Sequence, residues 1–116
     1  MKLLTKELEK QFQETGSQEK VKDPVVVAKY FNPYGSGTWY ATEYNPANKL
    51  FFGYVTGLGH DEWGYFSLKE MESIKIPPFN LPLERDIYFE KQTISKILFE
   101  LTRQNSRLKE ENDIER

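Results

Sequence analysis

Between Tyr30 and Phe66 the chain writes YFNPYGSGTWYATEYNPANKLFFGYVTGLGHDEWGYF, and this stretch holds 12 of the 17 aromatic residues. Aromatic and β-branched runs alternate there with clusters of Gly, Pro and Asn. Such side chains pack well on a pleated surface, and the intervening residues supply turns, so the stretch predicts an antiparallel β-meander. Strands are predicted at Val25–Phe31, Thr38–Tyr44, Lys49–Thr56 and Glu62–Phe66, with turns at Asn32–Gly37, Asn45–Asn48 and Gly57–Asp61.

The flanks read differently. Leu4, Leu8 and Phe12 recur every fourth residue behind Thr5, a capping residue, and predict a short amphipathic helix over about 5–13. Residues 14–23 are polar and aperiodic, a connecting loop. Ser67-Leu68-Lys69-Glu70 has the capping-box spacing, so a second helix is expected over about 68–73. Three prolines between Ile76 and Glu84 oppose helix and predict an extended or turning segment. Asp86–Glu90 reads as a fifth strand, and from Thr93 the apolar spacing turns helical to about Arg103.

The fold class expected is therefore α+β: a twisted antiparallel sheet of four to five strands, packed on one face by an N-terminal and a C-terminal helix. Residues 1–103 form one domain on this reading, and 104–116 a charged extension that projects or frays. The expected core is Leu4, Leu8, Val26, Ala28, Trp39, Phe52, Val55, Phe66, Ile87, Phe89, Ile97 and Leu101.

Charge restricts the function. The chain carries 16 basic and 18 acidic residues; residues 24–90 hold a net −3, and the two flanks hold 0 and +1. A nucleic-acid binder needs a cationic face to neutralise phosphates, so nucleic-acid binding is disfavoured. With no cysteine, neither a disulfide nor a thiolate metal site can form, and a reducing, cytoplasmic setting fits. The N-terminal residues do not read as a signal peptide, and no run is long and apolar enough to span a bilayer.

Several strings taken together resemble a known family. MKLLTKEL, VVAKYFNPYGSGTWYATEY, LFFGYV, EWGYFSL and LPLERDIYFE occur in the order found in the bacterial domain-of-unknown-function family 2958. The resemblance spans about residues 1–98, and the region after about residue 100 departs from it. It implies an accessory protein of plasmids, conjugative elements and phages. It carries over no catalytic residues.

In simple alternation Glu43 shares a face with Trp39 and Ala41, while Tyr40, Thr42 and Tyr44 point the other way. Arg85 could then meet Glu43, either as an ion pair closing the sheet or as the polar end of a ligand cleft with aromatic walls. Paired carboxylates such as Glu43 with Glu62 or Asp86 could serve a hydrolase, but nothing in the spacing fixes their separation. His60-Asp61-Glu62 contains the one histidine and reads as a solvated loop, not a metal site. No cofactor motif is present, and no residue is assigned a catalytic role.

The expected use of surplus aromatics is protein contact, with Tyr34, Tyr40 and Tyr44 the tyrosines expected at the surface beside Glu43, Glu62 and Arg85. The leading expectation is a non-enzymatic binding protein that docks on a host or element-encoded protein, for example to counter a restriction or CRISPR nuclease. The alternative is a small-ligand or hydrolytic domain with a cleft around Glu43 and Arg85. Ile94, Leu101 and Leu108, with Leu98 and Asn105, lie seven apart, so a homodimer through the last helix is a further expectation.

Overall fold

A computed structural model describes residues 1–114, with side chains as far as Leu108. The chain opens with helix α1 (Lys6–Thr15), whose first turn is capped by the Thr5 hydroxyl accepting from Leu8 N–H at 3.1 Å. Strands β1 (Val25–Val26), β2 (Ala28–Phe31), β3 (Thr38–Asn45), β4 (Leu50–Thr56) and β5 (Glu62–Ser67) follow. Then come α2 (Leu68–Ser73), β6 (Glu84–Arg85), β7 (Gln92–Thr93) and the long helix α3 (Ile94–Ile114). Ser67 caps α2 as its spacing implies, accepting from Glu70 N–H at 3.2 Å.

The main sheet has five strands in the order β5-β4-β3-β2-β6, antiparallel throughout. The α+β class and the meander stand. The segment expected as one first strand is divided at Val27, however. Val25 and Val26 leave the main sheet to pair with Thr93 and Gln92, while Ala28–Phe31 stay against β3.

The fifth strand is Glu84–Arg85, paired with Phe31 and Tyr30, and not Asp86–Glu90. Asp86 ends it: its carboxylate accepts from Tyr88 N–H at 3.0 Å, and its carbonyl accepts from Phe89 N–H at 3.2 Å. Such a side-chain turn competes with the ladder and bends the chain off the sheet. Ile87, expected in the core, is consequently 55% exposed.

Two apolar layers sandwich the sheet, one on each face. On the first, Leu8 and Phe12 of α1 pack with Tyr30, Trp39, Ala41, Phe51 and Phe66. On the second, Ile94 and Ile97 of α3 pack with Val26 and Tyr40, joined at the margin by Tyr54, Leu98 and Leu101. The two helices thus cover opposite faces, not one. They must, because β3 is apolar on both sides, and each layer buries one of its two sets. Leu4, Phe52, Val55, Phe89 and Leu101 are only partly buried, whereas Tyr30, Tyr40 and Phe51, absent from the expected core, lie inside it.

Helix α3 is fastened at its start from a distant segment. The Asp23 carboxylate accepts from Ser95 N–H at 3.0 Å and from the Ser95 hydroxyl at 2.6 Å, and these bonds hold its pKa below the usual carboxylate value. Beyond Leu101 the described side chains of α3 are exposed. The backbone nevertheless stays helical to Ile114, so the expected extension is a continuation of α3 as far as it is described; residues 115 and 116 lie outside the described residues. The heptad residues Ile94, Leu98 and Leu101 are used against the protein's own sheet, which leaves Asn105 and Leu108 as the exposed members of the expected seam.

Tyr30 is wholly buried, and its hydroxyl donates to Leu3 carbonyl at 2.7 Å. Burial pushes its pKa above the ordinary value of 10. The same cause, and then the Asp86 charge, raises Tyr40. Unfolded tyrosines release their protons near pH 10 while the folded ones hold them, so this stability is complete below pH 10 and lost as pH rises beyond it. The denaturation midpoint is expected to fall steadily above pH 10. A Tyr30→Phe protein should show a shallower fall, and about 1 kcal/mol less stability at neutral pH from the lost hydrogen bond.

Candidate aromatic docking face

The face that α3 covers is built from cross-strand rows. One row is Lys29, Tyr40, Tyr54 and Trp63; the next is Glu43, Phe52 and Tyr65. The Lys29 ammonium lies 5.9 Å from the centre of the Tyr40 ring and 3.8 Å from the Asp86 carboxylate. The cluster that Ile94 and Ile97 of α3 form on this face includes Tyr40 and takes in Tyr54 at its margin, but not Phe52, Trp63 or Tyr65. Phe52 stacks on Trp63 (centroids 5.9 Å, planes at 20°) and tilts against Tyr65 at 4.9 Å. Trp63 also meets Tyr54 at 5.3 Å. Trp63 is 41% exposed and Tyr65 75%, although both belong to one contiguous aromatic cluster.

A β-bulge decides which residues share this face. Register between β3 and β4 slips between Ala41 and Glu43, so one extra residue, Thr42, is accommodated on β3. Past the bulge the sides are exchanged. Glu43 joins the row of Phe52 and Tyr65, and Tyr44 joins the opposite core, 4.8 Å from Phe51 and 6.0 Å from Phe12. Simple alternation put Glu43 with Trp39, and the bulge reverses that.

The bulge is held from outside the sheet. Gln18, 7% exposed in the loop after α1, donates from Nε2 to the carbonyls of Val25 and Thr42, both at 2.8 Å. Its Oε1 accepts from Val25 N–H at 2.6 Å. The Thr42 hydroxyl in turn donates to Phe52 carbonyl at 3.1 Å. The loop so fixed forms one wall of a concavity of about 730 Å³, whose lining includes Gln18, Glu43, Asn45, Phe52, Trp63 and Tyr65.

The residues singled out from sequence are dispersed. Tyr34 is 61% exposed in the β2–β3 turn, away from the aromatic rows. Tyr40 is buried beneath α3 and Tyr44 half-buried against α1, so neither is the surface tyrosine expected. Glu62 is exposed at the start of β5 in the row of Trp39 and Val55, on the other face from Trp63.

Arg85 donates from Nε to Lys2 carbonyl at 3.1 Å and lines a separate concavity of about 570 Å³ with Lys29, Glu84 and Tyr88. Glu43 and Arg85 therefore do not converge, either as an ion pair or across a cleft. Among the described residues no group of three His, Cys, Asp or Glu side chains is placed to hold a metal, and no helix is long and apolar enough to cross a membrane.

Trp63, Tyr65 and Phe52 were not singled out as site residues from sequence. The signal for them lies in β5: its aromatic residues occupy both alternating sets, 63 and 65 against 66, and one helix cannot cover both faces of a meander's last strand.

The family model described as protein of unknown function (DUF2958) matches residues 3–109. The chain belongs to this family. Its match includes every strand and more than half of α3, so the stretch after residue 100, read from sequence as departing from the family, lies within it up to residue 109. The DUF2958 match thus takes in both the sheet bearing the aromatic rows and the helix that covers part of them. No curated protein and no solved structure matches the chain.

Proposed function

We propose that the protein is a non-enzymatic docking module whose contact surface is the aromatic face of β4 and β5, bordered by Glu43. One observation carries this reading: Trp63 and Tyr65 stand exposed against Phe52, one stacked and one tilted, on the part of the sheet face outside the α3 cluster. Exposed, contiguous aromatic residues of this kind are what protein interfaces are enriched in, because they bury large area at low entropic cost. In the setting that the family resemblance implies, the partner is a host or element-encoded protein, and the role is that of a mobile-element accessory, such as countering a restriction or CRISPR nuclease.

A Trp63→Ser, Tyr65→Ser double variant is expected to keep the wild-type circular dichroism with Tm lowered by several degrees, because Tyr65 is already largely in water while Trp63 gives up part of its packing on Phe52 and Tyr54. Its capture of the partner, measured against purified candidate host nucleases, should fall at least about 100-fold, as loss of two central aromatic anchors implies. Tyr34→Ser should leave capture intact. Undiminished capture by the double variant would remove this face from the function.

The concavity beside Glu43 supports a second reading, a small-ligand site of about 730 Å³ that uses Glu43 without Arg85. Thermal stabilisation by a small molecule, abolished in Glu43→Gln, is the result that reading requires.

A further inference from the structure

We propose that β5 is a self-association seam: its open edge pairs antiparallel with β5 of a second copy, about a two-fold axis at Gly64. The proposal is independent of the docking reading above, since it concerns the strand's edge and not its partner on the face.

The two edges of the sheet are unlike. The β6 edge is only two residues long, and its Arg85 N–H approaches the Met1 sulfur at 3.4 Å. The β5 edge is six residues long, pairs with β4 alone, and reads Glu-Trp-Gly-Tyr-Phe-Ser. It has no lysine, no proline and no register shift, and these are the devices that keep an edge from pairing. Its one charge, Glu62, is at the end.

The ladder shows which backbone groups face outward. Leu68 N–H donates to Lys49 carbonyl at 3.1 Å, and this fixes the alternation along the β4–β5 pair. Phe66, Gly64 and Glu62 then bond inward to β4, while the N–H and C=O groups of Trp63 and Tyr65 point away from it. The residues with free backbone groups are thus those with the exposed aromatic side chains.

Glycine at position 64 has no explanation within one copy. A Cβ placed there meets nothing within 4 Å, whereas at Gly53 it would strike the Tyr40 carbonyl oxygen at 2.0 Å. A strand-centre glycine weakens the strand and often marks close approach of another backbone. Centred on Gly64, two β5 strands place Trp63 of each copy opposite Tyr65 of the other, with both hydrogen bonds made at each pair. Glu62 falls opposite Phe66, so the two like charges are kept apart. The aromatic rows become continuous through the seam: Phe52 and Tyr65 of one copy lead into Trp63, Tyr54 and Tyr40 of the other. A register one pair further along would carry the seam towards α2, which starts directly after Ser67.

Because the chain has no cysteine, a single Gly64→Cys substitution is diagnostic. Directly opposed residues of a non-hydrogen-bonded pair lie about 4.5 Å apart between Cα atoms, within disulfide reach. Gly64→Cys protein under mild oxidation should become a disulfide-linked dimer much faster than the exposed α2 control Lys69→Cys. Sedimentation equilibrium of the full wild-type chain, without any partner, should give twice the monomer mass. Tyr65→Pro removes an outward N–H without touching the β4 ladder, and it should weaken the dimer at least about ten-fold, the factor carried by about two lost hydrogen bonds. A monomeric wild type at all concentrations, with Gly64→Cys linking no faster than Lys69→Cys, overturns the proposal. A dimer that survives Tyr65→Pro but dissociates in Leu108→Lys also overturns it, and assigns the seam to α3.

Discussion

Gly53→Ala protein is expected to lose about 3 kcal/mol or more of stability, a large share of the roughly 5–15 kcal/mol available to a domain of this kind. The cause is one close approach. A Cβ at position 53 would lie 2.0 Å from the Tyr40 carbonyl oxygen, 2.8 Å from its carbon and 3.0 Å from Ala41 Cα. These are backbone atoms of the neighbouring strand, so no rotamer change relieves the clash, and β3 must move away from β4. It would move at the bulge, where Ala41 pairs with Gly53 and where the faces of β3 are exchanged. Urea denaturation should show the midpoint falling, with Tm lower by roughly 10–15 °C. Gly64→Ala is the matched control. It lies directly opposite Gly53 on the next strand, a Cβ there meets nothing within one copy, and at concentrations where the β5 seam is dissociated it should leave the fold as stable as wild type or slightly more so. Equal stability of the two variants would show that β3 and β4 do not pack as closely as described.

Gln18→Ala should cost about 2–3 kcal/mol, the sum expected for three hydrogen bonds of about 1 kcal/mol each. Gln18 is polar, buried and remote in sequence from its partners. It bonds both backbone groups of Val25 and the carbonyl of Thr42, thereby joining the loop after α1 to the start of β1 and to the bulge. Alanine would leave two carbonyls without their donor where water reaches poorly. Gln18→Glu should be as damaging, because it replaces the amide donor by a carboxylate oxygen facing those same carbonyls. Both variants should loosen the loop that walls the concavity beside Glu43. Amide exchange at Val25 is the local readout, and protection there should fall before the sheet amides lose theirs. Unchanged protection in Gln18→Ala would show that the loop is held by other contacts.

Much of the scaffold was legible because its signals are local. The Thr5 and Ser67 caps act within three residues, and turn residues between aromatic runs mark where β3, β4 and β5 begin and end. The site was harder to read. Tyr40 and Tyr65 are both tyrosines in strands of mixed polarity, yet one lies under α3 and the other is open. Their difference is set by where a helix more than fifty residues away from Tyr40 comes to rest. Ile87 failed for another reason: the Asp86 turn ended the strand before it.

The sequence by itself determined the number and kind of the central elements, since turn chemistry and capping are fixed by residues a few places apart. It also determined that the chain lacks thiol chemistry and a strongly cationic character. Tertiary structure alone decided which side each aromatic residue serves. Period-two alternation sets phase only along an unbroken strand, and the extra residue at Thr42 reverses it for Glu43 and Tyr44. Strands apolar on both sides carry no phase of their own, so the placement of α1 and α3 on opposite faces divides core from surface. The same placement leaves Trp63 and Tyr65 exposed at the edge of the sheet.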